Sequence, residues 1–182
     1  MTTNYGDIHR DVIQSCMKGD VRAQYQLYNL YSRAMYNICF RMTGCREEAE
    51  DMLQESFSYA FSKLGSFRFE SAFGAWLKRI VVNTCINHLK KKRVDLVYTE
   101  QQNDPPPEDD FVDYEEISLQ VEKVRKAMEK LPEGYRIVFS LYLLEGYDHK
   151  EISEILGITE STSKSQFLRA KQKMKEILTD HE

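Results

Sequence analysis

Cysteine and histidine are few in this chain, and neither is grouped. The four thiols (Cys16, Cys39, Cys45, Cys85) form no C-x-x-C pair and have no histidine at zinc-ligand spacing. That excludes the common zinc sites and points to ordinary, mostly buried thiols in a reducing cytoplasm. The histidines (His9, His88, His149, His181) are equally dispersed, and His88 and His149 read as packing or solvent residues. No glycine-rich phosphate loop occurs, no nucleophile–base pair can be drawn, and no Glu-x-x-His supports a di-iron bundle. An enzyme is therefore not expected, nor a metal or other cofactor. No apolar run approaches membrane-spanning length, and the opening MTTNYGDIHRD lacks the apolar core of a signal peptide. Direct membrane insertion is not expected, and a cytoplasmic location is.

What is present is helical patterning and segregated charge. The 182 residues are 42% hydrophobic and 30% charged, with a net charge of −4, enough for one domain or two small ones with a real core. Against that negative total, Gly74 to Arg93 holds six Lys/Arg and no Asp or Glu. It follows an aromatic loop containing Phe67, Phe69 and Phe73. Trp76, Arg79, Asn83, Asn87 and Lys90 share one helical face, while Leu77, Val81 and Cys85 line another, widened by Ile80, Val82, Ile86 and Leu89. Basic groups attract phosphate, aromatic rings stack on unpaired bases, and Asn pairs with base edges. The stretch reads either as a grip on an opened nucleic-acid strand or as a packed helix with a solvated basic end. The Ile80-Val81-Val82 run also leaves a strand open.

The rest divides readily. Asp7 to Lys18 has helical spacing at Ile8, Val12 and Cys16, and Gly19 breaks it. Asp20 is a good N-cap for a long helix, Val21 to Thr43, with an apolar stripe of Ala23, Leu27, Leu30, Ala34, Ile38 and Met42, ended by Gly44. Arg46 to Leu64 follows, burying Ala49, Leu53, Phe57, Ala60 and Leu64. Its other face carries Glu47, Asp51, Gln54, Glu55 and Ser58, either solvated or a docking face for a basic partner. Residues 94–119 hold nine Asp/Glu, no Lys/Arg and three consecutive prolines, the composition of a flexible acidic linker.

Beyond it the helical period returns at Val121, Val124, Met128 and Leu131. Pro132-Glu133-Gly134 interrupts it, and Tyr135 to Leu144 is a compact apolar helix marked by Ile137, Val138, Leu141 and Tyr142. Asp148 opens a capping box for His149 to Leu156. Gly157 turns the chain, and Thr159 caps a last basic helix, Glu160 to Leu178, with Phe167, Ala170, Met174 and Ile177 inward. This is a helix-turn-helix pattern. The fold class is all-α: two small helical domains, 1–93 and 120–182, joined by the acidic linker 94–119.

The joint order of these pieces resembles the extracytoplasmic-function (ECF) group of bacterial sigma factors over roughly residues 10 to 178. In the first domain the likeness rests on Gly19-Asp20, Leu27-Tyr28, Ala49-Glu50-Asp51, Gln54-Glu55 and Phe73-x-x-Trp76-Leu77-x-Arg79-Ile80-x-x-Asn83. In the second it rests on Leu131-Pro132, Tyr135-Arg136, Glu145-Gly146, Glu151-Ile152-x-Glu154-Ile155-Leu156-Gly157-Ile158, Lys164-Ser165 and Arg169-Ala170. The resemblance implies an RNA polymerase sigma factor that directs core polymerase to promoters and promotes melting.

It also implies roles for particular residues. Asp51, Gln54, Glu55 and Phe57 would dock on the β′ clamp of core RNA polymerase. Phe69, Ser71, Trp76, Lys78, Arg79, Asn83, Asn87 and Lys90 would read the melted −10 element of promoter DNA, with one base flipped into the loop. Ser161, Thr162, Lys164, Ser165, Arg169 and Lys171 would read the −35 duplex, and the first half of the second domain would bind the β flap. An anti-sigma factor is an implied partner. The chain departs from the family pattern at Ser161, Ser163 and Gln166, where Ser163 puts a hydroxyl in a usually apolar position, so no promoter sequence is inferred. The alternative is a stand-alone helix-turn-helix regulator of duplex DNA.

Overall fold

The computed structural model describes residues 9–95 and 121–179, and among them every regular element is helical. The chain divides into two compact units, Met1–Asp95 and Leu96–Glu182. The expected linker lies outside the described residues except for its first two positions, which continue a helix.

Among its described residues the first unit has four α-helices: α1 (Arg10–Met17), α2 (Val21–Thr43), α3 (Arg46–Lys63) and α4 (Phe73–Asp95). Helix α1 starts three residues later than the spacing suggests, and Ile8 lies outside the described residues. At the start of α2, the Asp20 carboxylate accepts from the N–H groups of Arg22 (2.8 Å) and Ala23 (3.4 Å), satisfying donors that the first turn leaves orphaned. Gly44 ends α2 at φ 71°, a left-handed conformation that costs glycine nothing. Helix α3 gives way to a single 3-10 turn, Leu64–Ser66, before the aromatic loop.

Helix α2 packs against α1, α3 and α4, and α3 packs on α4. Leu27, Cys39, Met42, Leu77, Val81 and Cys85 are sealed between them. Burial of the apolar side of α4 settles the strand ambiguity in favour of helix, since a period of two would have exposed half of Val81, Val82, Cys85 and Ile86. The α2 stripe needs correcting: Leu30 and Ala34 are exposed, while Met35 and Cys39 are buried in their place.

The second unit comprises α5 (Val121–Glu129), α6 (Glu133–Phe139), a π-helical turn (Ser140–Leu144), α7 (His149–Leu156) and α8 (Glu160–Thr179). Pro132 caps α6, so Glu133 and Gly134 form its first turn and do not interrupt a helix. Helix α8 packs against α5, α6 and α7, around Val138, Leu141, Ile152, Phe167 and Ala170. The π turn rotates Tyr142, Leu143 and Leu144 to the surface, at 36%, 46% and 50% exposure. Buried Arg136 donates to the Leu131 carbonyl at 3.3 Å, just past the end of α5.

Candidate nucleic-acid interface

The aromatic loop of the first unit is a stacked cluster. Phe67 is its hub, with ring centroids 4.9 Å from Phe69, 5.5 Å from Phe73 and 5.2 Å from Trp76. Phe67 and Phe73 are buried, while Phe69 and Trp76 are half-buried, so two rings form the base of the cluster and two offer part of a face to solvent. Phe69 adopts φ 58°, a left-handed backbone that is uncommon for a bulky residue and costs energy the packing must offset. Its ring is held on one side by the Arg10 guanidinium, 4.8 Å from the centroid. Arg10 therefore belongs to this site through α1, a contact that no local sequence pattern encodes. Ser71 is exposed beside the cluster.

Helix α4 carries the expected row outward from that loop. Arg79, Asn83, Asn87 and Lys90 are all exposed, and Lys78 is half-buried. On the opposite side of the helix the chain packs against α2 and α3. One carboxylate of α3 faces α4 instead of joining the acidic face. Glu48 Oε1 is 2.6 Å from Lys92 Nζ, and its Oε2 is 3.3 Å from His88 Nε2. Burial alone would raise the Glu48 pKa, but the Lys92 ion pair and His88 outweigh it and hold the carboxyl below its ordinary value. This clamp fixes the basic end of α4 and was not legible in the sequence.

Of the four expected polymerase-docking residues, Asp51, Gln54 and Glu55 are exposed on α3. Phe57 is not: it is 3% exposed, with its ring 4.7 Å from Tyr28 and 5.8 Å from Phe61. It supports the α3 face from below and is not available to a partner.

In the second unit the turn is built as expected. Asp148 and Glu151 make a reciprocal capping box, with Glu151 N–H to Asp148 Oδ1 at 2.8 Å and Asp148 N–H to Glu151 Oε2 at 2.9 Å. Gly157 takes φ 69°, and Thr159 Oγ1 accepts from the Thr162 N–H at 3.0 Å. Along α8, Ser161 and Lys164 are exposed, while Thr162, Ser165, Arg169 and Lys171 are half-buried. Lys164 is paired with Glu160 at 2.7 Å, Ser165 donates to the Ser161 carbonyl at 2.9 Å, and Lys171 lies over the Phe167 ring. The N-terminal turn of α8 thus presents short polar groups and one lysine, the width and chemistry that a major groove admits. Ser163 is wholly buried, its Oγ 2.9 Å from His149 Nδ1.

The second unit matches the family described as Sigma-70, region 4, over residues 121–174, and the first matches Sigma-70 region 2 over residues 27–94. The chain is 30% identical to the ECF RNA polymerase sigma factor SigW of Bacillus subtilis, across 92% of this chain and 95% of that protein. It is 28% identical to the ECF RNA polymerase sigma factor SigM of Mycobacterium tuberculosis, covering 92% and 83%. Among solved structures, the sigma factor RpoE in complex with the anti-sigma factor NepR from Bartonella quintana has a similar fold. Its TM-score is 0.54 at 24% identity, covering 87% of this chain and 98% of that one. CnrH in complex with the cytosolic domain of CnrY gives 0.55 at 21% identity, covering 97% and 100%.

Proposed function

The chain belongs to the ECF group of the sigma-70 family and is a specificity subunit that directs core RNA polymerase to promoters and promotes their melting; from that premise we propose how its two units share the work. The first unit docks on the polymerase β′ clamp through the exposed Asp51, Gln54 and Glu55 of α3. The same unit reads the melted −10 strand with Phe69, Ser71, Trp76, Lys78, Arg79, Asn83, Asn87 and Lys90. The second unit binds the β flap and places the start of α8 in the −35 major groove, using Ser161, Thr162, Lys164, Ser165, Arg169 and Lys171.

One observation carries the reading: the exposed row Arg79, Asn83, Asn87 and Lys90 leads away from a cluster of four aromatic rings, two of them half-open to solvent. Phosphate contacts position a strand, while stacking on ring faces, roughly 1–3 kcal/mol per base, holds bases that have left the duplex. A regulator of intact duplex has no use for such a cluster. The exposed Leu143 and Leu144 supply an apolar surface for the flap contact.

Among the described residues no helix is long and apolar enough to cross a membrane. The protein works in the cytoplasm, where its polymerase and promoters are, and an anti-sigma factor holds it inactive by covering the polymerase-binding faces. Run-off transcription from a genomic fragment library tests the core of this reading, using the purified chain with and without sigma-free core polymerase. Discrete transcripts that require both components are expected. Duplex binding by the chain alone, with no core binding and no transcripts, would move the stand-alone regulator ahead.

A further inference from the structure

The buried hydroxyl of Ser163 sits in the first turns of α8, on the side that faces α7. A hydroxyl removed from water destabilises the fold unless it is bonded. Here its bond is to the imidazole at the start of α7. That imidazole is also stacked face to face on Tyr142 of the π turn, with centroids 4.4 Å apart at 15°, and meets Phe167 of α8 edge-on at 5.6 Å. The side chain of α7 is therefore held by two other segments at once, and its hydrogen bond is to α8.

We propose that His149 is a positioning residue for the −35-reading helix, its Nδ1 bond to Ser163 fixing where the first turns of α8 sit on α7. Apolar side chains at both positions would pack but leave rotation and sliding of α8 less defined, because dispersion contacts are non-directional. A 2.9 Å hydrogen bond between groups of fixed geometry has one register. The inference rests on the reading of α8 as the −35 helix.

A dependence on pH follows from the surroundings. Facing His149 are Asp148 from its own cap, Glu160 and Lys164 from α8, and the Tyr142 phenol from the π turn. Burial and then Lys164 push the imidazole below its ordinary pKa, against the smaller pull of Glu160 and Asp148. A histidine depressed on folding stabilises its surroundings above its unfolded pKa, and that contribution is lost as pH falls through the folded value. The neutral imidazole is thus the form that suits this site, and acid puts a half-buried charge beside Ser163 and Lys164.

The test uses the full chain bound to core polymerase, with the duplex upstream half of a promoter recovered by run-off selection as probe. His149→Ala and Ser163→Ala should each lower affinity at pH 8, on the order of fivefold, the worth of one net hydrogen bond. The double variant should be no worse than either single. His149→Gln can still bond Ser163 and cannot titrate, so it should retain most of the affinity and lose the wild-type decline on the acid side of the ordinary histidine range. Amide exchange over residues 160–166 in the chain without DNA should follow the same order. Additive single effects, or one pH profile shared by wild type and His149→Gln, would overturn the proposal. If Lys164→Ala and Arg169→Ala leave duplex binding unchanged, the −35 reading itself fails. If those two weaken binding while the double-mutant comparison is additive, only the positioning role fails.

Discussion

Lys92 of α4 reaches across to Glu48 of α3, its ammonium 2.6 Å from the carboxylate, with the His88 imidazole 3.3 Å away on the other oxygen. The charge that cancels the basic helix at this end comes from the acidic helix packed against it. Glu48→Gln should destabilise the first unit by only about 1 kcal/mol, because Lys92 remains half in water and screening limits the pair. Glu48 is depressed on folding, so its contribution is complete above the ordinary glutamate value of about 4.3 and is lost as pH falls through the folded one. Acid unfolding of wild type and Glu48→Gln, followed by circular dichroism, should therefore converge at the acid end, below the ordinary glutamate range.

A second prediction concerns the start of α4. A Cβ at Gly74 would lie 3.2 Å from Tyr31 Cε1, so the ring would have to yield by a few tenths of an ångström. It is poorly placed to do so. Its hydroxyl is bonded to His9 Nδ1 at 3.0 Å, and its face meets Phe73 at 5.1 Å between centroids. Glycine-to-alanine exchange in an open helix gains roughly 0.5–1 kcal/mol, but here crowding should reverse the sign. Gly74→Ala is expected to cost about 1 kcal/mol in denaturant unfolding, and Gly74→Ala combined with Tyr31→Leu should recover most of it.

Tyr31 also explains what the sequence did and did not reveal. Element order, caps and glycine turns were legible because each is local: Asp20, Gly44, Asp148 with Glu151, and Gly157 all act as their positions indicate. The inward stripe of α2 departs from the apolar spacing where Tyr31 follows Leu27 by one turn. Leu30 and Ala34, expected inward from the apolar spacing, are exposed. The real stripe runs Ala23, Leu27, Tyr31, Met35, Ile38, Met42, with the phenol satisfied by His9, the residue just before α1. Partners across helices are tertiary facts. The same holds for Arg10 on Phe69, Lys92 on Glu48 and Ser163 on His149. The π turn at Ser140–Leu144 likewise had no sequence signature, since nothing in SLYLL distinguishes it from an α-helical run.

For the proposed clamp contact, charge reversal on α3 is the direct test. Asp51 and Glu55 are exposed and one helical turn apart, so Asp51→Lys or Glu55→Lys should leave the unit folded. Affinity for core polymerase should fall by roughly tenfold each, with a shallower dependence on salt. Phe57→Ala would be uninformative about docking, because it opens a cavity beside Tyr28 and should cost about 3–5 kcal/mol of stability. Unchanged core affinity in both lysine variants, with normal melting curves, would remove α3 as the docking face.

Trp76 needs a variant that separates stacking from packing, since its ring lies against both Phe67 and Phe73. Trp76→Ala removes both functions, whereas Trp76→Phe keeps a smaller ring in the cluster. If Trp76 holds melted −10 bases, permanganate reactivity of the open promoter should fall in both variants while binding to closed duplex changes little. The loss in Trp76→Phe should be the milder, within the roughly 1–3 kcal/mol that one stacked base is worth. Equal losses of opening and duplex binding would mean that the ring only supports the fold.

The pairing of Lys164 with Glu160 gives the last prediction its direction. Both side chains are exposed, and the carboxylate oxygen lies 2.7 Å from the ammonium that would meet a phosphate. The hydrogen bond to Lys164 holds the Glu160 carboxyl below its ordinary pKa, so at neutral pH it is fully charged at the start of α8. An exposed pair contributes little to stability, but on DNA the carboxylate competes with phosphate for the lysine and repels the backbone. Glu160→Gln should therefore bind −35 duplex more tightly as holoenzyme, by roughly three- to tenfold at low salt. Lys164→Ala should bind more weakly and lower the salt slope by about one. In the double variant the gain from Glu160→Gln should shrink, because with no lysine to release only the repulsion of the backbone is relieved. A Glu160→Gln gain that persists undiminished without Lys164 would mean that the lysine makes no phosphate contact.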